Sequence, residues 1–74
     1  MSLIITKAPN TFGGDNYDFE YGGDYYMISM SWGLLSPQYA EVRKNRIVII
    51  QVTERIAFTE LLSMLGIREV FEIL

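Results

Sequence analysis

Phe12–Tyr26 reads FGGDNYDFEYGGDYY, and it says one thing twice. The unit aromatic-Gly-Gly-Asp-x-Tyr runs over Phe12–Tyr17 and again over Tyr21–Tyr26. Glycine takes positive φ at no steric cost, and Asp and Asn tolerate it, so Gly13-Gly14-Asp15-Asn16 and Gly22-Gly23-Asp24 read as turns. Between them, Tyr17-Asp18-Phe19-Glu20-Tyr21 alternates ring and carboxylate. Side chains on a strand have period two, so the three rings share one face and the two acids the other. The second turn leads into Tyr25–Trp32, and the pair reads as a β-hairpin with a short Gly-containing loop. On that second strand Tyr26, Ile28, Met30 and Trp32 share a face, and Tyr25, Met27, Ser29 and Ser31 share the other.

Before the hairpin, Leu3–Thr6 is rich in β-branched residues and predicts a strand, ended by Ala8-Pro9-Asn10 because proline cannot donate to a ladder. After it, Ser36-Pro37 reads as a helix start, with Ser36 as N-cap and proline where no N–H is needed. Gln38–Lys44 then predicts a two-turn helix, with Asn45 at its left-handed end. The continuous β-branched run Arg46–Val52 reads as a central strand covered on both faces. Thr53 reads as the cap of a main helix, Glu54–Leu65, which Gly66 ends and Ile67 packs back upon. Its apolar arc holds Ala57, Phe58, Leu61, Leu62, Met64 and Leu65, with Ile56 on the opposite side. Arg68–Leu74 fits either a helix or a strand, and one helical turn leading into an edge strand reconciles the two. The fold class expected is α+β: a small, mainly antiparallel sheet packed against helix 54–65.

The chain has 74 residues, half of them hydrophobic, with no Cys and no His. A single domain this small buries only about 60% of its unfolded surface, and disulfides or zinc are its usual supports. Neither is available here, so a dense core and self-association are the expected substitutes, and a homo-oligomer is the expected state. Without His or Cys, the Ser-His-Asp triad, the Cys–His nucleophile and the common zinc site are excluded. No enzymatic activity and no cofactor are expected. Asp15, Asp18, Glu20 and Asp24 have no EF-hand spacing, so they read as a solvated acidic face and turn residues rather than a metal site. An Asp follows each glycine pair, which suits turns and repels phosphate.

Net charge is −3, and Ala8–Val42 carries five acids and no base. That argues against nucleic acid as a partner. The longest unbroken apolar run, Ile47–Ile50, is far short of the ~20 residues of a membrane-spanning helix, and Met1–Thr6 is unlike a signal peptide. A soluble cytoplasmic protein is expected. Ten aromatic residues are many for so small a chain. Tyr17, Phe19, Tyr21, Tyr25, Tyr26, Trp32 and Tyr39 are the candidate binding residues, since tyrosine is enriched in interfaces. The first function expected is a protein-interaction or regulatory module, binding itself and possibly another protein. The alternative is a small-molecule binding domain, its pocket lined by Tyr25, Tyr26, Trp32 and Tyr39.

The C-terminal third also resembles the end of a STAS domain, the small fold of anti-sigma-factor antagonists and of transporter cytoplasmic tails. The residues that carry the resemblance are the strand Arg46–Val52, Thr53, and Leu62-Ser63-Met64-Leu65-Gly66-Ile67-Arg68-Glu69-Val70-Phe71-Glu72-Ile73. The order strand, serine-opened helix, strand precedes them. The resemblance implies a regulatory module whose switch serine, at a helix start, is Ser36. Where the family carries Asp-Ser-Ser/Thr-Gly, this chain has Leu35-Ser36-Pro37-Gln38.

Overall fold

Alternation carries the N-terminal half of the chain. The computed structural model describes residues 2–11, 13–32 and 38–74. Strands β1 (Leu3–Pro9), β2 (Gly14–Tyr21), β3 (Asp24–Ser31), β4 (Tyr39–Lys44) and β5 (Ile47–Val52) precede one short helix, α1 (Phe58–Met64), and a last strand, β6 (Phe71–Ile73). They form a six-stranded mixed sheet in the order β5-β4-β3-β2-β1-β6. Every neighbouring pair is antiparallel except β1–β6, which is parallel. The α+β class is as expected. The parallel strand was not anticipated.

The hairpin stands where the sequence places it. Tyr21 pairs with Asp24 across a two-residue loop, Gly22 and Gly23, at φ 61° and 83°. That is a type I′ turn, whose twist matches the flanking strands. Strand β2 begins earlier than expected, because Gly14 pairs with Ser31 instead of turning the chain. Likewise β1 runs on through Pro9, opposite Asp15. Beyond Ile5 the other side of β1 has no strand among the described residues, so the missing proline donor breaks no ladder.

Gln38–Lys44 is not a helix. It contains β4, whose Ala40 and Val42 point into the core while Tyr39, Glu41 and Arg43 point away. The misleading residue is Asn45. Its φ of 50° is the left-handed geometry expected of it, but it serves a second two-residue turn, Asn45-Arg46, between Lys44 and Ile47. A helix end and a type I′ turn both ask for that conformation. The two turns clasp each other. The Tyr25 N–H donates to Asn45 Oδ1 at 3.0 Å, and Asn45 Nδ2 donates to Asp24 Oδ1 at 2.9 Å. The Asn45 amide, with Lys44 helping, holds the Asp24 carboxyl below its ordinary range. Arg46 sits at φ 71°, where a side chain is strained. Arg46→Gly is expected to stabilise the fold by about 1 kcal/mol. Urea unfolding at low protein concentration checks this, and a loss of stability would mean that the turn does not need positive φ there.

The run at 46–52 is an edge strand, not a central one. Ile47, Val48 and Ile49 are 68%, 39% and 45% exposed. Register slips between β4 and β5, so Arg43 pairs with Val48 and Ile49 has no partner on β4. Such a bulge breaks the alternation that otherwise separates inner from outer residues.

The core lies on one face of the sheet. Across it, Tyr17, Ile28, Val42 and Ile50 stand in one row on four strands. Ile5, Ile28 and Val42 are fully buried, and the Phe19 and Tyr26 rings stack at 5.3 Å. Leu61, Leu62 and Ile67 belong to the same buried cluster, and the Phe58 ring lies 4.4 Å from Tyr17. Trp32 does not follow Tyr26, Ile28 and Met30 inward. It lies beyond β3 and is exposed.

The expected helix 54–65 is shorter, Phe58–Met64. Its N-cap is Ala57, with no side-chain bond, so Thr53 caps nothing. A helix begun at Glu54 would turn Ile56 away from its apolar face; with the helix begun at Phe58, Ala57 is extended, at φ −77° and ψ 148°. Ile56, freed from the helix, packs partly buried against the core instead of facing solvent. The helix ends as predicted. Gly66 has φ 76°, its N–H donates to Ser63 O, the Ile67 N–H donates to Leu62 O, and Ile67 is buried. These are the bonds of a Schellman ending. The final segment makes the short edge strand without a preceding helical turn. No helix among the described residues is long and apolar enough to cross a membrane.

Candidate functional site

The same alternation that fills the core turns the other residues of β2, β3 and β4 to the opposite face of the sheet, where most of them are half-buried. There the register lines up Asp18, Met27 and Arg43 in one row and Asn16, Ser29 and Glu41 in the next, with Tyr39 beyond. A hollow of about 770 Å³ lies over this face. Met27 supplies apolar surface. Asn16, Ser29, Tyr39, Glu41 and Arg43 supply the polar groups.

Those groups are tied to one another. Arg43 Nε lies 3.2 Å from Glu41 Oε2. Gln51 Nε2 donates to the Tyr39 hydroxyl at 3.2 Å and reaches Glu41 Oε1 at 3.5 Å. Burial, and then Glu41 as its hydrogen-bond partner, push the Tyr39 hydroxyl above the ordinary phenol value. Further along, the Tyr25 hydroxyl donates to Asp18 Oδ1 at 2.8 Å, and that bond raises its pKa too. The Tyr25 hydroxyl thus serves as a donor, to Asp18, while the Tyr39 hydroxyl accepts from Gln51. Among the described residues no three carboxylates converge on one point.

The second feature is the outer edge of β5. Its six residues, Ile-Val-Ile-Ile-Gln-Val, contain no charge and no proline. Among the described residues no strand pairs with that edge. The opposite edge, β6, is three residues long and carries Glu72. Natural sheets blunt their edges with short strands, charges or proline. On those counts β6 is protected. Among the described residues, β5 is blunted by its bulge alone.

The structure divides the candidate binding residues. Tyr17, Phe19 and Tyr26 come together in the core, with Tyr21 half-buried against them. They are therefore not a surface of the single chain. Tyr25 and Trp32 are exposed, and Tyr39 lines the hollow. Of the four residues expected to line a pocket, Tyr39 alone lies on the 770 Å³ hollow, and Tyr26 points to the other face. Ser36 lies outside the described residues. The segment after it, a helix in the STAS-like reading, is strand β4. Two residues apart, Glu41 and Arg43 share no face of a helix, so a helix over Gln38–Lys44 does not bring them together as site residues. The alternation of Tyr39-Ala40-Glu41-Val42-Arg43 was the signal that could have found them. No family model, no curated protein and no solved structure matches the chain.

Proposed function

We propose that this chain is a non-enzymatic protein-interaction module that works as a homo-oligomer, joined through the edge of β5. In this reading α1 lies across the inner face of the sheet and closes the core, and the β5 edge makes the contact between copies. The observation that carries it is an uncharged six-residue edge strand with three exposed β-branched side chains and no partner strand among the described residues. Such an edge presents unpaired N–H and C=O groups beside apolar surface, which is how strands recruit other strands. It also meets the need of a small chain without Cys or His for burial beyond its own core.

Light scattering at micromolar concentration is expected to give at least twice the 8.5 kDa chain mass. Ile49→Lys places a charge on the edge and is expected to return the mass to that of one chain with the fold intact. A wild type that stays monomeric throughout the micromolar range would contradict the proposal.

The hollow favours a second reading, a small-molecule binding domain. Its volume falls within the range of ligand pockets, and donors and acceptors turn into it. A fragment screen by NMR tests this. Shifts confined to Met27, Tyr39 and their neighbours would support it, and shifts scattered over the surface would count against it.

A further inference from the structure

We infer that the occupant of the β5 edge is a second copy of this chain, paired antiparallel about a two-fold axis at Ile50. The inference rests on the homo-oligomer reading and adds the partner strand and its register. A strand that pairs with itself antiparallel must be complementary to its own reversal, since a two-fold interface uses the same patch on both copies. The charges that bracket β5 have that property. Arg46 precedes it and Glu54 follows it, each four residues from Ile50. Both are exposed, and neither has an ion pair among the described residues.

With the axis at Ile50, Arg46 of each copy stands opposite Glu54 of the other. Val48 meets Val52 and Ile49 meets Gln51, so the bulge residue that has no partner on β4 gains one across the axis. Moving the axis by one residue breaks both charge pairs. With the axis at Ile49, Arg46 faces Val52; with it at Gln51, Arg46 faces Ile56. A parallel arrangement sets Arg46 beside Arg46. Like charges across a strand pair are destabilising and opposite ones favourable, so charge selects the antiparallel register about Ile50. The outcome is a continuous twelve-stranded sheet, its two copies meeting along β5.

Charge reversal tests the register. Arg46→Glu sets two acids against each other at both ends of the interface, and Glu54→Arg sets two bases. Each variant alone is expected to weaken dimerisation about tenfold or more in sedimentation. An equimolar mixture is expected to restore the wild-type constant, because each copy of one then meets its opposite in the other. Both variants leave the core untouched, and circular dichroism reports whether each is folded. Should the wild type dimerise while both single variants and their mixture keep its dissociation constant, this pairing is overturned and the homo-oligomer reading stands. A mass that grows without limit with concentration overturns the two-fold, because an open head-to-tail contact does not close. A wild type that is monomeric removes both.

Discussion

Gly14→Ala will cost roughly 3 kcal/mol or more. The glycine is not needed there for its φ. It pairs with Ser31 at the start of β2, and a Cβ built on it would lie 1.7 Å from the Met30 carbonyl oxygen. That neighbour is backbone in the central β3, so it cannot swing aside as a side chain can. The first residues of β2 must then leave β3, and the loop held there loosens with them. In that loop Asn10 Oδ1 accepts from the Gly14 N–H at 3.0 Å, and Asn10 Nδ2 donates to Met30 O at 3.2 Å. Gly13, one residue earlier, is the opposite case. It has φ 81° and open space where a Cβ would go, so Gly13→Ala should cost about 1 kcal/mol, from backbone strain alone. Urea unfolding of both variants checks the contrast. Equal costs would mean that the close approach of Gly14 to β3 is relieved easily.

Leu61→Ala and Ile28→Ala are each expected to cost about 3–5 kcal/mol. Both side chains are fully buried, Ile28 at the middle of the sheet and Leu61 on α1 in the same cluster. A chain of 74 residues has a total stability of only about 4–11 kcal/mol, so either change takes much of it. Leu65→Ala should cost clearly less, about 1–2 kcal/mol, since Leu65 is half-buried at the helix end. Ile56→Ala should resemble Leu65→Ala rather than a solvent-face substitution, because Ile56 packs partly against the core. Thermal unfolding of the four variants gives the order. A Leu61→Ala variant as stable as Leu65→Ala would show that α1 does not seat Leu61 in the core.

The hairpin β2–β3 was legible because two independent signals agree there. Tyr17, Phe19 and Tyr21 alternate with acids, and Gly22-Gly23 supplies the two positive φ values that a two-residue loop demands. The helix end at Gly66 was legible for the same reason, a φ requirement followed by an apolar residue. Where one residue serves two purposes, legibility fails. Asn45 suits a helix end and a type I′ turn alike, and Ser36-Pro37 before it tipped the reading of 38–44 the wrong way. The place of β5 was hidden because an apolar run of this kind does not say whether its strand lies inside the sheet or at its edge. The start of α1 depends on how Ile56 and Phe58 pack against the core, which no local pattern encodes.

Much less of the candidate site could be read. The aromatic cluster was visible, yet which of its faces turns inward depends on where α1 lies, and Tyr17, Phe19 and Tyr26 proved to be core. The face opposite the core depends on register between β3 and β4, so Met27, Glu41 and Arg43 come together only once β4 is a strand. The edge of β5 depends on strand order, the least local property of a sheet.

Amide hydrogen exchange of β5, followed as protein concentration is varied, separates a free edge from a paired one. In a single chain, the β5 amides that point away from β4 have no partner strand and exchange quickly. If two copies pair along the edge, those amides are bonded to the second copy. Exchange of those amides is expected to slow as concentration rises through the micromolar range, toward the protection of β3 and β4, while the outward amides of β6 do not change. Fast exchange of the outward β5 amides at every concentration would contradict pairing along the edge.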